Sequence, residues 1–109
     1  MPRRRFGELE QTLLYAVVFL QDEPEGASGP TIGKLIAQRT GRSISPGAIY
    51  TALTRLEERG FVSSELGAPT AERGGKRKRL YRMRSAGEAA LRAAETGLAR
   101  MAQLARARS

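Results

Sequence analysis

Apolar residues recur along this chain at helical spacing in four stretches and alternate over two short ones. Residues 8 to 21 place Leu9, Leu13, Ala16, Val17 and Leu20 on one stripe, with Leu14 and Val18 about a third of a turn away. A helix that is apolar on more than one side either is the central core helix of the domain or, since so small a domain has little mass to cover both sides, turns its second side to a partner subunit. Residues 22 to 30 are acidic and rich in turn formers and read as a loop. A second helix is expected over residues 31 to 40, with Ile32, Leu35 and Ile36 inward and Gly41 just past its end. The third helix has the best-marked start: Ser45 can cap it, Pro46 fits its first position, and Ile44 and Ile49 can staple across the cap. Its inward stripe is Ile49, Ala52, Leu53 and Leu56, and it should run to Arg59, where Gly60 stops it. Residues 61 to 65 and 80 to 84 read as strands joined by the loop 66 to 79. Ser85-Ala86-Gly87-Glu88 has capping-box spacing and opens a last helix reaching Ala107, roughly 35 Å long at 1.5 Å per residue.

That last helix is longer than the domain needs. Leu91, Ala94, Leu98, Met101 and Ala105 alternate spacings of three and four, the seam of a helix pair, while Arg92, Arg100 and Arg106 lie off it. The expected organisation is a unit over residues 1 to 84 followed by a dimerisation helix over 85 to 109. Leu9 and Leu13 of the first helix and the five seam residues of the last are the candidate contacts between subunits.

Charge sharpens this picture. The 109 residues carry 19 Lys and Arg against 11 Asp and Glu, a formal charge of +8, and the cations cluster. Three Arg stand at positions 3 to 5, and seven Lys or Arg surround a glycine pair in residues 73 to 84. Clustered cations favour a polyanion, because each one placed on a phosphate releases condensed counterions. Half a turn from the core stripe, the third helix presents Gly47, Thr51 and Thr54 flanked by Tyr50 and Arg55. A helix that enters the major groove needs small residues for close approach and donors for base edges or phosphates. Ser45 and Gly47, at the amide-rich start of the helix, can take a phosphate, and Tyr50 can donate its hydroxyl to the DNA backbone. Thr51, Thr54 and Arg55 are candidates for base edges, although Arg55 has Glu57 and Glu58 within reach as alternative partners. Lys76, Arg77, Lys78 and Arg79 should meet phosphate or the minor groove.

Composition closes other routes. With no Cys and no His, the chain lacks thiol nucleophiles, disulfides, imidazole bases and the usual zinc sites, and no cofactor is expected. Its nearest carboxylate pairs, Glu57 with Glu58 and Glu8 with Glu10, sit at ordinary helix surface positions, so an enzyme is not expected. The longest apolar run, residues 13 to 20, is too short to span a bilayer and has no signal-peptide arrangement, which points to a cytoplasmic, nucleoid-associated protein.

Three short helices, two strands around a basic glycine turn and a terminal amphipathic helix make a mainly α fold with a small β-wing: a winged helix-turn-helix with an added dimerisation helix. Residues 47 to 62, Gly-Ala-Ile-Tyr-Thr-Ala-Leu-Thr-Arg-Leu-Glu-Glu-Arg-Gly-Phe-Val, resemble the PadR family of bacterial transcriptional regulators in the pattern Gly-x-Leu/Ile-Tyr, Leu-x-Arg-Leu-Glu, then Gly with two apolar residues. Residues 74 to 83 resemble that family's glycine pair, basic residues and Tyr-Arg-Leu strand. Thr51 stands where the family often has Pro, Ser28-Gly29-Pro30 replaces the usual Tyr-Gly-Tyr, and Arg84 takes a usual Thr position, which would move the last helix's cap to Ser85. The resemblance implies a homodimer on a pseudo-palindromic duplex operator, usually a repressor, released by a small aromatic effector held between subunits. The rival readings are an RNA- or ribosome-associated winged helix and a protein-only adaptor.

Overall fold

The computed structural model describes residues 6–68 and 77–108. Four helices and one hairpin follow in the order α1 (Glu8–Leu20), α2 (Gly29–Thr40), α3 (Pro46–Glu58), β1 (Val62–Leu66), β2 (Arg79–Met83) and α4 (Ser85–Ala107). Leu13, Leu14 and Val17 of α1, Ile32 and Ile36 of α2, and Ile49, Leu53 and Leu56 of α3 form the core, closed by Val62, Tyr81 and Leu91. Helices therefore carry most of the burial, and the antiparallel hairpin, with Ser64 opposite Tyr81, covers one side.

Local chemistry explains most boundaries. At α3 the Ala48 amide donates to Ser45 Oγ at 3.1 Å and Pro46 occupies the first turn, as the sequence predicts. Gly60 ends the helix at φ +82°, a conformation costly for a residue with a Cβ. Its amide reaches the Glu57 carbonyl at 2.9 Å and the Phe61 amide reaches Leu56 at 3.0 Å, the paired bonds of a Schellman stop. Phe61 then packs edge-on against Phe6, with the Arg59 guanidinium over both rings.

Other boundaries differ from the sequence reading. Helix α2 starts at Gly29, two residues early, because Ser28 is already its cap: the Thr31 amide donates to Ser28 Oγ and the Ser28 amide to Thr31 Oγ1. Gly29 and Pro30 thus form a first helical turn, where Pro loses no hydrogen bond. The paired strands sit one residue from the predicted limits, at Val62–Leu66 and Arg79–Met83. At α4 the cap is Arg84, without a side-chain bond, and Ser85 is already helical. The Arg84 amide is held by the Phe61 carbonyl at 3.0 Å, which keeps Arg84 extended and starts the helix directly behind it.

The acidic turn after α1 is tied to the back of the hairpin. Tyr81 donates its amide to the Ala27 carbonyl at 2.8 Å, Met83 donates to Gln21 Oε1 at 2.8 Å, and Arg82 pairs with Asp22 at 2.9 Å. Helix α4 meets the body along its first half, through Gly87, Leu91 and the Tyr15–Glu95 hydrogen bond, and the molecule measures 58 × 31 × 24 Å. Its radius of gyration, 15.7 Å, exceeds the roughly 13 Å of a compact domain of this length because α4 projects from the body.

Candidate nucleic-acid interface

Burial of one stripe of α3 decides what the other side shows. Ile49, Ala52, Leu53 and Leu56 all point into the core, so Gly47, Tyr50, Thr51 and Arg55 are exposed and Thr54 is half-buried. Tyr50 stands 62% exposed, at the edge of the same surface as Tyr81. Arg55 makes no ion pair with Glu57 or Glu58 among the described residues, which leaves its guanidinium for an external partner. The Ser45 hydroxyl oxygen is already an acceptor for the helix cap, so toward a phosphate it has only its proton to offer.

The hairpin places its cations beside that face, but not equivalently. Lys78 is exposed and makes no ion pair among the described residues. Arg77 spends one donor, Nε, on the Gly67 carbonyl at 2.9 Å. Arg79 donates Nη1 to Ser64 Oγ at 3.0 Å, and Ser64 donates onward to the Glu57 carboxylate at 2.9 Å. This chain of bonds joins the last turn of α3 to the hairpin, while the remaining donors of each guanidinium have no partner among the described residues. Arg82, counted among the seven clustered cations, is spent on Asp22 on the far side. Lys76, with Arg3, Arg4, Arg5 and Arg73, lies outside the described residues.

Between the start of α3 and the hairpin runs a trench of about 600 Å³, edged by Arg77, Lys78, Arg79 and by Lys34 of α2. Lys34 and Ser43 were missed from the sequence, since only the packing of α2 against α3 brings them to the same surface. Tyr81 forms part of the wall, and burial pushes its phenol above the usual range, opposed by the nearby Arg79 charge. Among the described residues no group of acidic side chains is arranged to hold a metal. No described helix is long and apolar enough to cross a membrane.

The candidate subunit contacts divide. Leu13 is wholly covered and Leu91 is 6% exposed, so both belong to the chain's own core and are not available to a partner. Leu9 is half-buried against the same core. Leu14, expected on the second side of α1, is also in the core, and the side left open is Tyr15, Val18 and Phe19. On α4, Leu98 and Met101 are exposed together with Leu104, which the spacing argument omitted, and Ala94 is half-buried while Ala105 is exposed.

The motif at residues 47 to 62 and the hairpin fall inside a match to the transcriptional regulator PadR-like family, whose model covers residues 19–93. The chain belongs to that family. The matched span holds α2, α3 and both strands of this PadR-like regulator, with the end of α1 and the anchored start of α4. No protein of curated function matches it by sequence. Among solved structures it is similar to a protein from Thermoplasma acidophilum whose proposed role is transcriptional regulation, at 30% identity and a TM-score of 0.66 over 90% of this chain and 86% of that one. A PadR family regulator from Clostridium difficile shares the fold at 20% identity and a TM-score of 0.69, covering 90% and 94% of the two chains. Bacillus subtilis PadR, solved in complex with operator DNA, shares it at 20% identity and a TM-score of 0.62, over 77% of this chain and 45% of that one.

Proposed function

We propose that this PadR-like regulator is a cytoplasmic, nucleoid-associated repressor that binds a pseudo-palindromic duplex operator as a homodimer. The observation that carries the reading is the juxtaposition of an exposed, small and donor-bearing face on α3 with the cations Arg77, Lys78 and Arg79 of the hairpin. In this reading α3 enters the major groove, Thr51, Thr54 and Arg55 face base edges, and Ser45, Gly47 and Tyr50 face phosphates. The hairpin, with Lys76 completing its row, contributes affinity more than sequence choice. Two such units, held by α1 and the free half of α4, would present their third helices about 34 Å apart, one duplex turn.

A small aromatic effector fits the same arrangement. A hollow of about 400 Å³ between α1 and α2 is lined by Tyr15, Phe19, Leu35 and Arg39, on the side where α1 keeps its apolar residues exposed. A ring held there would bear directly on how the subunits meet. Footprinting upstream of the protein's own gene at two salt concentrations tests the core of the reading. Replacing Arg77 and Lys78 together with Ala should weaken operator and random duplex alike and lower the slope of log affinity against log salt by about 2. Preference for structured RNA over every duplex tested would favour the rival RNA-binding role.

A further inference from the structure

The trench beside α3 joins a largely apolar floor to a cationic edge. Its floor is aliphatic, made by Gly33, Ala37, Ile44, Pro46, Ile49 and Leu53, and its edge is cationic. Gly29, Gly33 and Ala37 succeed one another every four residues on α2, so along that row the helix offers nothing larger than a methyl group to fill the space. The opposite wall comes close at this point, since a Cβ at Gly33 would lie 3.0 Å from Ile49 Cδ1. A polar group is directed into the same space. Tyr81 is 3% exposed and lines the trench, and its hydroxyl, which makes no hydrogen bond among the described residues, is not sealed from solvent. It can donate to an acceptor placed in the trench.

We infer that this trench is a ligand site for an aliphatic carboxylate, its acyl chain on the floor and its head group between the Tyr81 hydroxyl and the cations of the edge. The volume lies within the roughly 300 to 1,000 Å³ of small-molecule sites, and a trench open along one side suits a flexible chain. A phosphodiester offers the cations a charge but brings no apolar tail for the floor. Charge complementarity fixes the head group, and the aliphatic lining fixes the chain. Because Arg77, Lys78 and Arg79 serve both occupants, carboxylate and duplex exclude one another; that consequence rests on the proposed DNA-binding role, whereas the site itself does not.

Decanoate is the probe, titrated into the full chain below its micellar concentration and followed by backbone amide shifts. Saturable shifts should appear at Gly33, Ala37, Ile49 and Tyr81, and neither acetate nor decanol should reproduce them. Ala37→Phe, which fills the trench from an exposed position, should abolish them; should that variant not fold, Lys34→Gln should weaken decanoate several-fold. Decanoate at about nine times its own Kd should weaken operator binding about tenfold. Shifts unchanged in Ala37→Phe, shifts centred on Phe19, or no saturation would each overturn the site. Specific shifts with unaltered operator affinity would overturn the exclusion. A protein that binds decanoate but no duplex would overturn the DNA-binding role and leave the site standing.

Discussion

Helix α4 has one amphipathic pattern and two fates. In its first two turns Gly87 and Leu91 are buried in the body, and the packing is so close that a Cβ at Gly87 would overlap the Phe61 carbonyl oxygen. Three turns on, Leu98, Met101 and Leu104 continue the pattern in solvent, at 67%, 62% and 61% exposure. Periodicity specifies which residues must leave water; it is silent on whose surface covers them. The exposed half is the one that a second subunit is proposed to complete, and fully burying a side chain of this size is worth about 1.5 to 3 kcal/mol.

Truncating one residue in each half separates the two roles. Leu91→Ala should cost about 2 to 5 kcal/mol of unfolding free energy in urea, because it opens a cavity between α4 and the core. A loss under 1 kcal/mol would mean that the helix start is not part of the cooperative unit. Leu98→Glu should leave the unfolding of a single subunit within about 0.5 kcal/mol of the parent, as substitutions at exposed positions usually do. In sedimentation, however, it should raise the dimer dissociation constant at least a hundredfold, which corresponds to about 2.7 kcal/mol. A dimer that persists would move the interface away from α4.

The same contrast accounts for what could be read from the sequence. Helix α3 was legible at both ends because Ser45-Pro46 and Gly60 act within a few residues of themselves, and its exposed face followed from the burial of Ile49, Leu53 and Leu56. The start of α2 was not, because Gly29-Pro30 has the composition of a turn, and only the reciprocal bonds of Ser28 and Thr31 make it a helix. Ser85 has the spacing of a cap but is overruled by a tertiary bond, the Arg84 amide to Phe61. The candidate interface divided in the same way. Tyr50, Thr51 and Arg55 needed only a helical wheel, whereas the assignment of Leu13 and Leu91 to the chain's own core and the arrival of Lys34 at the hairpin depend on how helices pack.

The smallest effect tests the joint between the body and the free half of α4. Tyr15 donates its hydroxyl to Glu95 Oε2 at 2.6 Å, the one side-chain hydrogen bond between α1 and α4 among the described residues. That bond to the carboxylate, with a smaller contribution from burial, raises the phenol above its usual value near 10. The folded state therefore favours the protonated phenol. Stability linked to the bond is complete below pH 10 and is lost as pH rises through the raised value. Tyr15→Phe should cost about 1 kcal/mol or less at neutral pH, since the pair is exposed. Above pH 10 its thermal unfolding curve should converge on that of the parent, because the parent alone has a proton to lose there. The comparison is cleanest in the Leu98→Glu background, where a change in association cannot mask it. Curves that stay parallel from pH 7 to 11 would show that Tyr15 and Glu95 do not hold the arm, and that α4 takes its direction from Gly87 and Leu91 alone.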